Sequence, residues 1–265
     1  MIVRIGVIIV VIAAFAAIAG PFLCPYDPSV QELARRLEAP TLAHPLGLDE
    51  LGRDILARLL QGARISLLVG IAVVSVSSVV GMVFGSMAGY FGGRVDDVIS
   101  RVIDVLMAFP GILLAIALVA VLGPSLVNVV LALSIIGWVG YARLVRGQAL
   151  RAREFEFVQA ARACGASSAR IVLRHILPTA IPAVVVQATL GMAGAILAEA
   201  ALSFLGLGVQ PPTPSWGTML DAGRAHLFDA PHLTIFPGLA IATLVLGFNF
   251  LGDGLRDHVD PKTIR

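Results

Sequence analysis

The chain has 265 residues, of which 58% are hydrophobic and only 14% charged, with a formal net charge of +2. Soluble domains carry about 25% charged residues, so a deficit spread along the whole length, with a mean hydropathy of +0.92, excludes an ordinary soluble domain and points to a polytopic membrane protein. The location of the positive charge is more informative than its sum, because Arg and Lys concentrate in cytoplasmic loops.

A membrane-spanning helix needs about 20 mostly apolar residues, and six stretches of this chain qualify. The first, Ile2 to Phe22, has Arg4 at its start. It also has the layout of a secretory signal, with one basic residue, an apolar stretch and then small residues, although the stretch is long for one and five more spans follow. After it comes a segment in which Asp49 can cap a helix from Glu50 to about Gln61. Leu51, Ile55, Leu56, Leu59 and Leu60 share one face of that helix, so it is expected to lie along the outer interface. Residues 1–64 are thus read as one unit, a span plus an extracytoplasmic segment, ahead of a membrane core over residues 65–265.

The second span, Ile65 to Tyr90, carries Gly81, Gly85 and Gly89 at four-residue spacing. Such a ridge lets helix backbones approach closely, within one chain or between two. The third, Val102 to Leu122, is interrupted by Pro110, and Asp104 near its inner end can pair with Arg101. The fourth is Leu126 to Leu144, the fifth Ala180 to Leu207 and the sixth Leu233 to Leu251. Glu199 is the acid set well inside a span, with Ser203 one helical turn on. An intramembrane carboxylate marks either a transport path or gate, or buried helix packing. Asn249 in the sixth span has the same two readings.

Between the fourth and fifth spans lie Arg146, Arg151, Arg153, Arg162, Arg170 and Arg174 against Glu154 and Glu156, with Arg143 at the end of the fourth span. This excess assigns the loop to the cytoplasm. Alternation then places both termini inside, and residues 24–64 and 208–232 outside. Cys24 and Cys164 fall on opposite sides, which leaves no disulfide between them.

The chain lacks a G-x-x-x-x-G-K-[ST] loop, and its single lysine is Lys262. It also lacks HExxH, CxxC and lipase-type GxSxG motifs, and His44, His175, His226, His232 and His258 are scattered. No catalytic centre, metal site, bound cofactor or nucleic-acid partner is expected. A transport subunit that draws energy from another protein fits better than an enzyme. An ion-driven secondary transporter is the alternative, although no inverted repeat with broken helices is evident.

The loop itself, FVQAARACGASSARIVLRHILP from Phe157 to Pro178, is helix-compatible over Glu156 to Arg162 and turns at Gly165. A second helix capped by Ser167 can run from Ala169 to Ile176 and stop before Pro178. Ala160, Ala161 and Ala166 offer a small-residue surface edged by Arg162 and Arg170, suited to docking in a partner's groove. Attachment to anionic lipid headgroups is the other reading of its basic character.

This stretch resembles the EAA loop of binding-protein-dependent ABC importer permeases, whose pattern is E-A-A, three residues, Gly, nine residues and Ile-x-Leu-Pro. Gln159, Ala160 and Ala161 take the first places, Gly165 follows in register, His175 stands where the pattern has Ile, and Leu177 and Pro178 close it. Gln159 replaces the usual Glu. Four further stretches are similar to the second permease of the dipeptide, oligopeptide and nickel branch: HPLGLDELGRDILARLLQGARISLLVG, AGYFGGRVDDVISRVIDVLMAFP, ALSFLGLGVQPPTPSWGTML and FPGLAIATLVLGFNFLGDGLRDHVDP. The resemblance covers nearly the whole chain. It implies an all-α, type I importer permease of the inner membrane with six spans, paired with a second, homologous permease. It further implies two ATP-binding subunits that use ATP and Mg2+, and an extracytoplasmic solute-binding protein. Coupling to the ATPases is then implied for residues 147–179, with Phe157, Val158, Gln159, Ala160, Ala161, Arg162, Gly165, Ala166, Arg170, His175 and Pro178 at the contact. Di- or oligopeptides are the implied cargo, with nickel chelates, glutathione or another small solute as alternatives.

Overall fold

The computed structural model describes residues 2–259. Lys262, Asp260 and Pro261 of the last motif, and the final residues of the expected 65–265 unit lie outside the described residues. Helices of the described chain are α1 (Ile2–Leu23), α2 (Ile55–Phe91), α3 (Gly93–Met107), α4 (Gly111–Leu122), α5 (Leu126–Ala152), α6 (Glu156–Ala163), α7 (Ser168–Ile171), α8 (Leu177–Phe204), α9 (Trp216–Gly223) and α10 (His232–Val259). Five helical stretches are long and apolar enough to cross a membrane, and α3 with α4 make a bent pair that supplies a sixth.

The parallel pair of α2 and α5 forms the centre, and the glycine ridge makes it possible. A Cβ on Gly81 would lie 2.3 Å from Tyr141 Cβ, one on Gly85 2.5 Å from the Ala142 carbonyl, and one on Gly89 2.6 Å from Ala149 Cβ. The ridge is therefore spent within this chain. In lipid, where apolar side chains gain little by leaving the solvent, such close packing is what joins helices. On the flank, α1 runs antiparallel to α10, with Gly6 against Gly247 and Leu251, and Gly254 against Val3. Consequently Ile2, Val259 and the α6–α7 loop share one end of the bundle, here termed the loop end. Residues 24–54 and α9 occupy the opposite end.

That opposite end corrects one expectation. No separate interfacial helix starts at Glu50, because α2 begins at Ile55 and runs unbroken through Arg64 and Ile65. The expected boundary between the two units falls inside it. Asp49 caps a turn instead: its Oδ1 accepts from the backbone N–H groups of Leu51 and Arg53, and its Oδ2 takes the Arg53 Nε–H at 2.7 Å. Gly52, at φ +73°, completes the turn with its Cα pressed on the Glu32 carbonyl. Asp54 is the true N-cap, accepting from Ala57 N–H at 2.8 Å. Its other oxygen meets His44 Nδ1 at 2.8 Å, while His44 Nε2 lies 3.1 Å from Arg35 Nη1. Arginine only donates, so Nε2 accepts and Nδ1 carries the hydrogen given to Asp54. Arg35 also forks onto both oxygens of Glu38, at 2.7 and 2.9 Å, and this bonding holds the Glu38 carboxyl below the usual range.

Proline explains two further departures. The third span is not straight: α3 and α4 meet at 86°, because Pro110 drives Phe109 out of helical geometry and α4 restarts with Pro110 as N-cap. The end of α4 is closed by Asn128, whose amide donates to the carbonyls of Leu122 and Gly123 at 2.9 Å each. Asp104 makes no ion pair with Arg101 among the described residues. The α3–α5 link is Arg146 with Asp96, Nη2 to Oδ2 at 2.7 Å, which ties the two helices together. At Pro178, by contrast, the helix continues. A π-helical turn over Val172–Ile176, with Leu177 N–H bonded to the Val172 carbonyl, widens the backbone just ahead of the proline. The result is one helical stretch over Ser168–Phe204.

Candidate functional site

Two features at different depths carry the chemistry of binding. The first is the loop surface. Val158, Ile171 and Ile176 are fully buried with Ala149 and Ala152 of α5, and Tyr90, Ala161 and Ala166 pack around them. Val158 and Ala161 thus moor α6 to the bundle instead of facing outward. The turn between α6 and α7 is made at Gly165, φ +78°, after which Ser167 caps α7 by accepting from Arg170 N–H at 3.4 Å. Phe157, Ala160 and Arg170 remain exposed. The Phe157 ring stands 5.5 Å from that of Phe155 and 6.1 Å from His175, a small aromatic ledge. Gln159 donates its amide to the Glu154 carbonyl at 3.1 Å, folding its head back over the start of α6. Arg162 lies over the Tyr90 ring, 5.6 Å from its centroid, and Arg153 donates to the Gly89 carbonyl at 3.4 Å. Pro178 is exposed at the start of α8.

The second feature is a cleft of about 310 Å³ between α2, α4, α5 and α8, with Ser77, Ile112, Gly137, Tyr141, Gln187 and Gly194 among its walls. No charged side chain lines it. Tyr141 is buried, and its hydroxyl donates to the Gln187 carbonyl at 3.4 Å. Gly191 makes room for that hydroxyl, since a Cβ there would lie 2.5 Å from it. Ser77, Tyr141 and Gln187 carry no charge, so the charged residues of the spans do not point to them. The available signal was that polar residues interrupt apolar spans at similar depths.

Glu199, the acid set well inside a span, is elsewhere. It is 0% exposed and does not line the cleft. Ser203 Oγ donates to one oxygen at 2.7 Å and Ser66 Oγ to the other at 3.3 Å. The carboxylate therefore bridges α8 to α2, beside the place where Gly217 at the start of α9 rests on the Ala200 carbonyl. A buried carboxylate with two hydroxyl donors is a helix clamp by its geometry. Asn249 is half-buried on α10 and is not part of the cleft lining. The glycines at 81, 85 and 89 serve the α2–α5 contact described above.

Comparison with known proteins places these features. The family described as binding-protein-dependent transport system inner membrane component matches residues 81–265. A dipeptide transport system permease protein, DppC of Alkalihalophilus pseudofirmus, is 46% identical over 97% of this chain and 85% of its own length. A glutathione transport system permease protein, GsiD of Pectobacterium atrosepticum, is 47% identical with the same coverage. Among solved structures, a chain of the inward-facing MetNI methionine ABC transporter superposes with a TM-score of 0.61 over 77% of this chain and 97% of that one, at 19% identity, which is a likeness of fold. The chain belongs to the family of binding-protein-dependent transport system inner membrane components.

Proposed function

We propose that this chain is one of two homologous permease subunits of an ATP-driven importer of di- and oligopeptides in the cytoplasmic membrane. The observation that carries the reading is the loop surface. A short helix is moored by Val158 and Ala161 to the ends of α2 and α5 yet exposes Phe157, Ala160, Gly165 and Arg170. A rigidly held, exposed helix is what a separate ATPase needs if its motion is to reach the spans, since ATP can bias the pore only through contacts that differ between two states. In this reading residues 147–179 receive two ATP-binding subunits that consume ATP with Mg2+, and this chain performs no hydrolysis itself. The loop end then faces the cytoplasm together with both chain ends. The segment over residues 24–54 and α9 face a solute-binding protein outside.

Peptides are favoured by the dipeptide permease at 46% identity. Glutathione, itself a small peptide, is favoured as a second cargo by the relatives that bear its name. The test is uptake of labelled dipeptide and of glutathione into vesicles holding this chain with its second permease, ATPases and binding protein. ATP-dependent uptake indifferent to an uncoupler is expected. Uptake that continues without ATP and collapses with the uncoupler would replace this reading with an ion-driven one. Ala160→Arg, which adds bulk to an exposed site without touching the mooring cluster, is expected to release the ATPases; their unchanged co-purification and coupling would remove the role assigned to the loop.

A further inference from the structure

Gln187 is the neutral polar side chain in the wall of the intramembrane cleft that has no work to do inside this chain. Its carboxamide makes no hydrogen bond among the described residues. Its Nε2 lies 3.8 Å from where a Cβ on Gly140 would stand, so the amide reaches across from α8 toward α5 over a residue with no side chain. Depth is also informative. At about 1.5 Å per helical residue, Gln187 lies ~10 Å inside the fifth span counted from Ala180, and Tyr141 on the antiparallel α5 lies ~5 Å inside the fourth counted back from Leu144. Both therefore sit inside the apolar layer, which is about 30 Å thick, on the loop-end side of its middle. A carboxamide left unpaired at that depth is costly unless it lines a polar route. Its backbone is meanwhile fixed: the Tyr141 hydroxyl donates to the Gln187 carbonyl, and Gly191 yields the space for that contact.

We infer that Gln187 is a specificity-determining residue of the transport path, pairing through its carboxamide with the amide groups of a passing peptide. This rests on the peptide-importer reading given above. A carboxamide presents one acceptor and two donors, the complement of a peptide group, which presents one of each. It carries no charge, and the cleft around it is lined by Val, Leu, Ile, Ala and Gly with Ser77 and Tyr141, and by no Asp, Glu, Lys or Arg. Such a wall can read the feature common to all peptides while imposing no selection on side-chain charge. Gly140, Gly191 and Gly194 keep backbone and amide approachable, and a Cβ at Gly194 would meet nothing within 4 Å. Tyr141 acts as the positioning residue, setting the turn of α8 from which Gln187 projects.

The experiment uses the complete importer in vesicles with a fixed binding protein. It compares maximal uptake rates of a dipeptide and of the same dipeptide methylated on its amide nitrogen, which removes the donor. Because the binding protein is common to every measurement, a change in the ratio of the two rates between permease variants belongs to the permease. In the unaltered complex the methylated peptide is expected to move several-fold more slowly. In Gln187→Leu the plain peptide is expected to slow by about tenfold, the worth of one net hydrogen bond of about 1.4 kcal/mol, and the ratio to fall toward one. Gln187→Asn is expected to restore part of both. ATP hydrolysis stimulated by the loaded binding protein should persist in all three. A ratio unchanged in Gln187→Leu, whether both rates are normal or both are reduced, overturns the inference. Failure of the unaltered complex to import either peptide overturns the peptide reading itself and this inference with it, and is recognised before any variant is measured.

Discussion

The guanidinium of Arg162 rests over the ring of Tyr90, 5.6 Å from its centroid. Arg162 stands on α6 and Tyr90 in the last turn of α2, so the pair binds the exposed loop helix to the helix that crosses the whole bundle. Arg153 reinforces the junction by donating to the Gly89 carbonyl one residue earlier.

Tyr90→Leu keeps apolar bulk in the mooring cluster but removes the ring face. The contact is worth about 0.5–1 kcal/mol at an exposed site, so the complex should assemble and hydrolyse ATP while peptide moved per ATP falls by roughly two- to fivefold. The measurement is uptake and phosphate release from the same vesicles. An unchanged ratio would show that the stack plays no part in coupling.

Gly85→Leu drives a side chain into the Ala142 carbonyl and Val145. Overpacking of this kind costs about 1–3 kcal/mol, so the detergent-solubilised chain should melt several degrees lower. Gly147→Ala on α5 meets nothing within 4 Å and should raise stability by about 0.4–1 kcal/mol through the unfolded chain. Equal melting of the two variants would dissociate the ridge from α2–α5 packing.

Glu199→Leu strands the hydroxyls of Ser66 and Ser203, at about 1–3 kcal/mol for each buried group left unpaired. Glu199→Gln can still accept from Ser203 and donate to Ser66, and is expected to retain both stability and ATP-driven uptake. A Glu199→Gln complex as stable as the parent but unable to transport would move this residue from clamp to pathway.

Asp54→Ala removes the N-cap of α2 and the partner of His44 together, at a cost of about 1–2 kcal/mol, and should make residues 24–54 accessible to added protease. Asp54→Asn keeps the cap acceptor and should stay resistant. Cleavage at the same rate in both would show that the cap does not hold the segment.

Most of the bundle was legible in the residues. Apolar length identified the spans, and the spacing of Gly81, Gly85 and Gly89 marked a close helix contact, although only the packing revealed α5 as its partner. Local punctuation was less reliable. Asp49 and Asp54 are equally good caps by residue type, and the choice was made by Gly52, whose left-handed backbone turns the chain before a helix can begin. Pro110 and Pro178 look alike in a sequence. One bends its span by 86° because nothing ahead of it adjusts, while the other is absorbed by a π-helical turn that depends on the packing of Ile171 and Ile176. The loop helix could be recognised from its Ala-Ala and Gly spacing, but Val158 and Ala161 turn inward because the ends of α2 and α5 offer them apolar cover. The cleft is least visible of all. Ser77, Tyr141 and Gln187 lie on three helices, and their shared depth follows from helix register, which no stretch of sequence contains.

With 37 residues, α2 measures about 55 Å against an apolar layer of about 30 Å. Its first turn is anchored at Asp54 and its last at Tyr90, and no proline lies between them. In the proposed importer it would therefore link the two ends. Any change in partner affinity at Tyr90 that accompanies delivery of solute at the far end has an equal counterpart, in which the state of the partner alters the hold on the solute carrier by the same factor. In the proposed importer, a dye placed near residue 54 is expected to report nucleotide binding by the partner some 50 Å away; a dye that does not respond would show that α2 does not link its two ends.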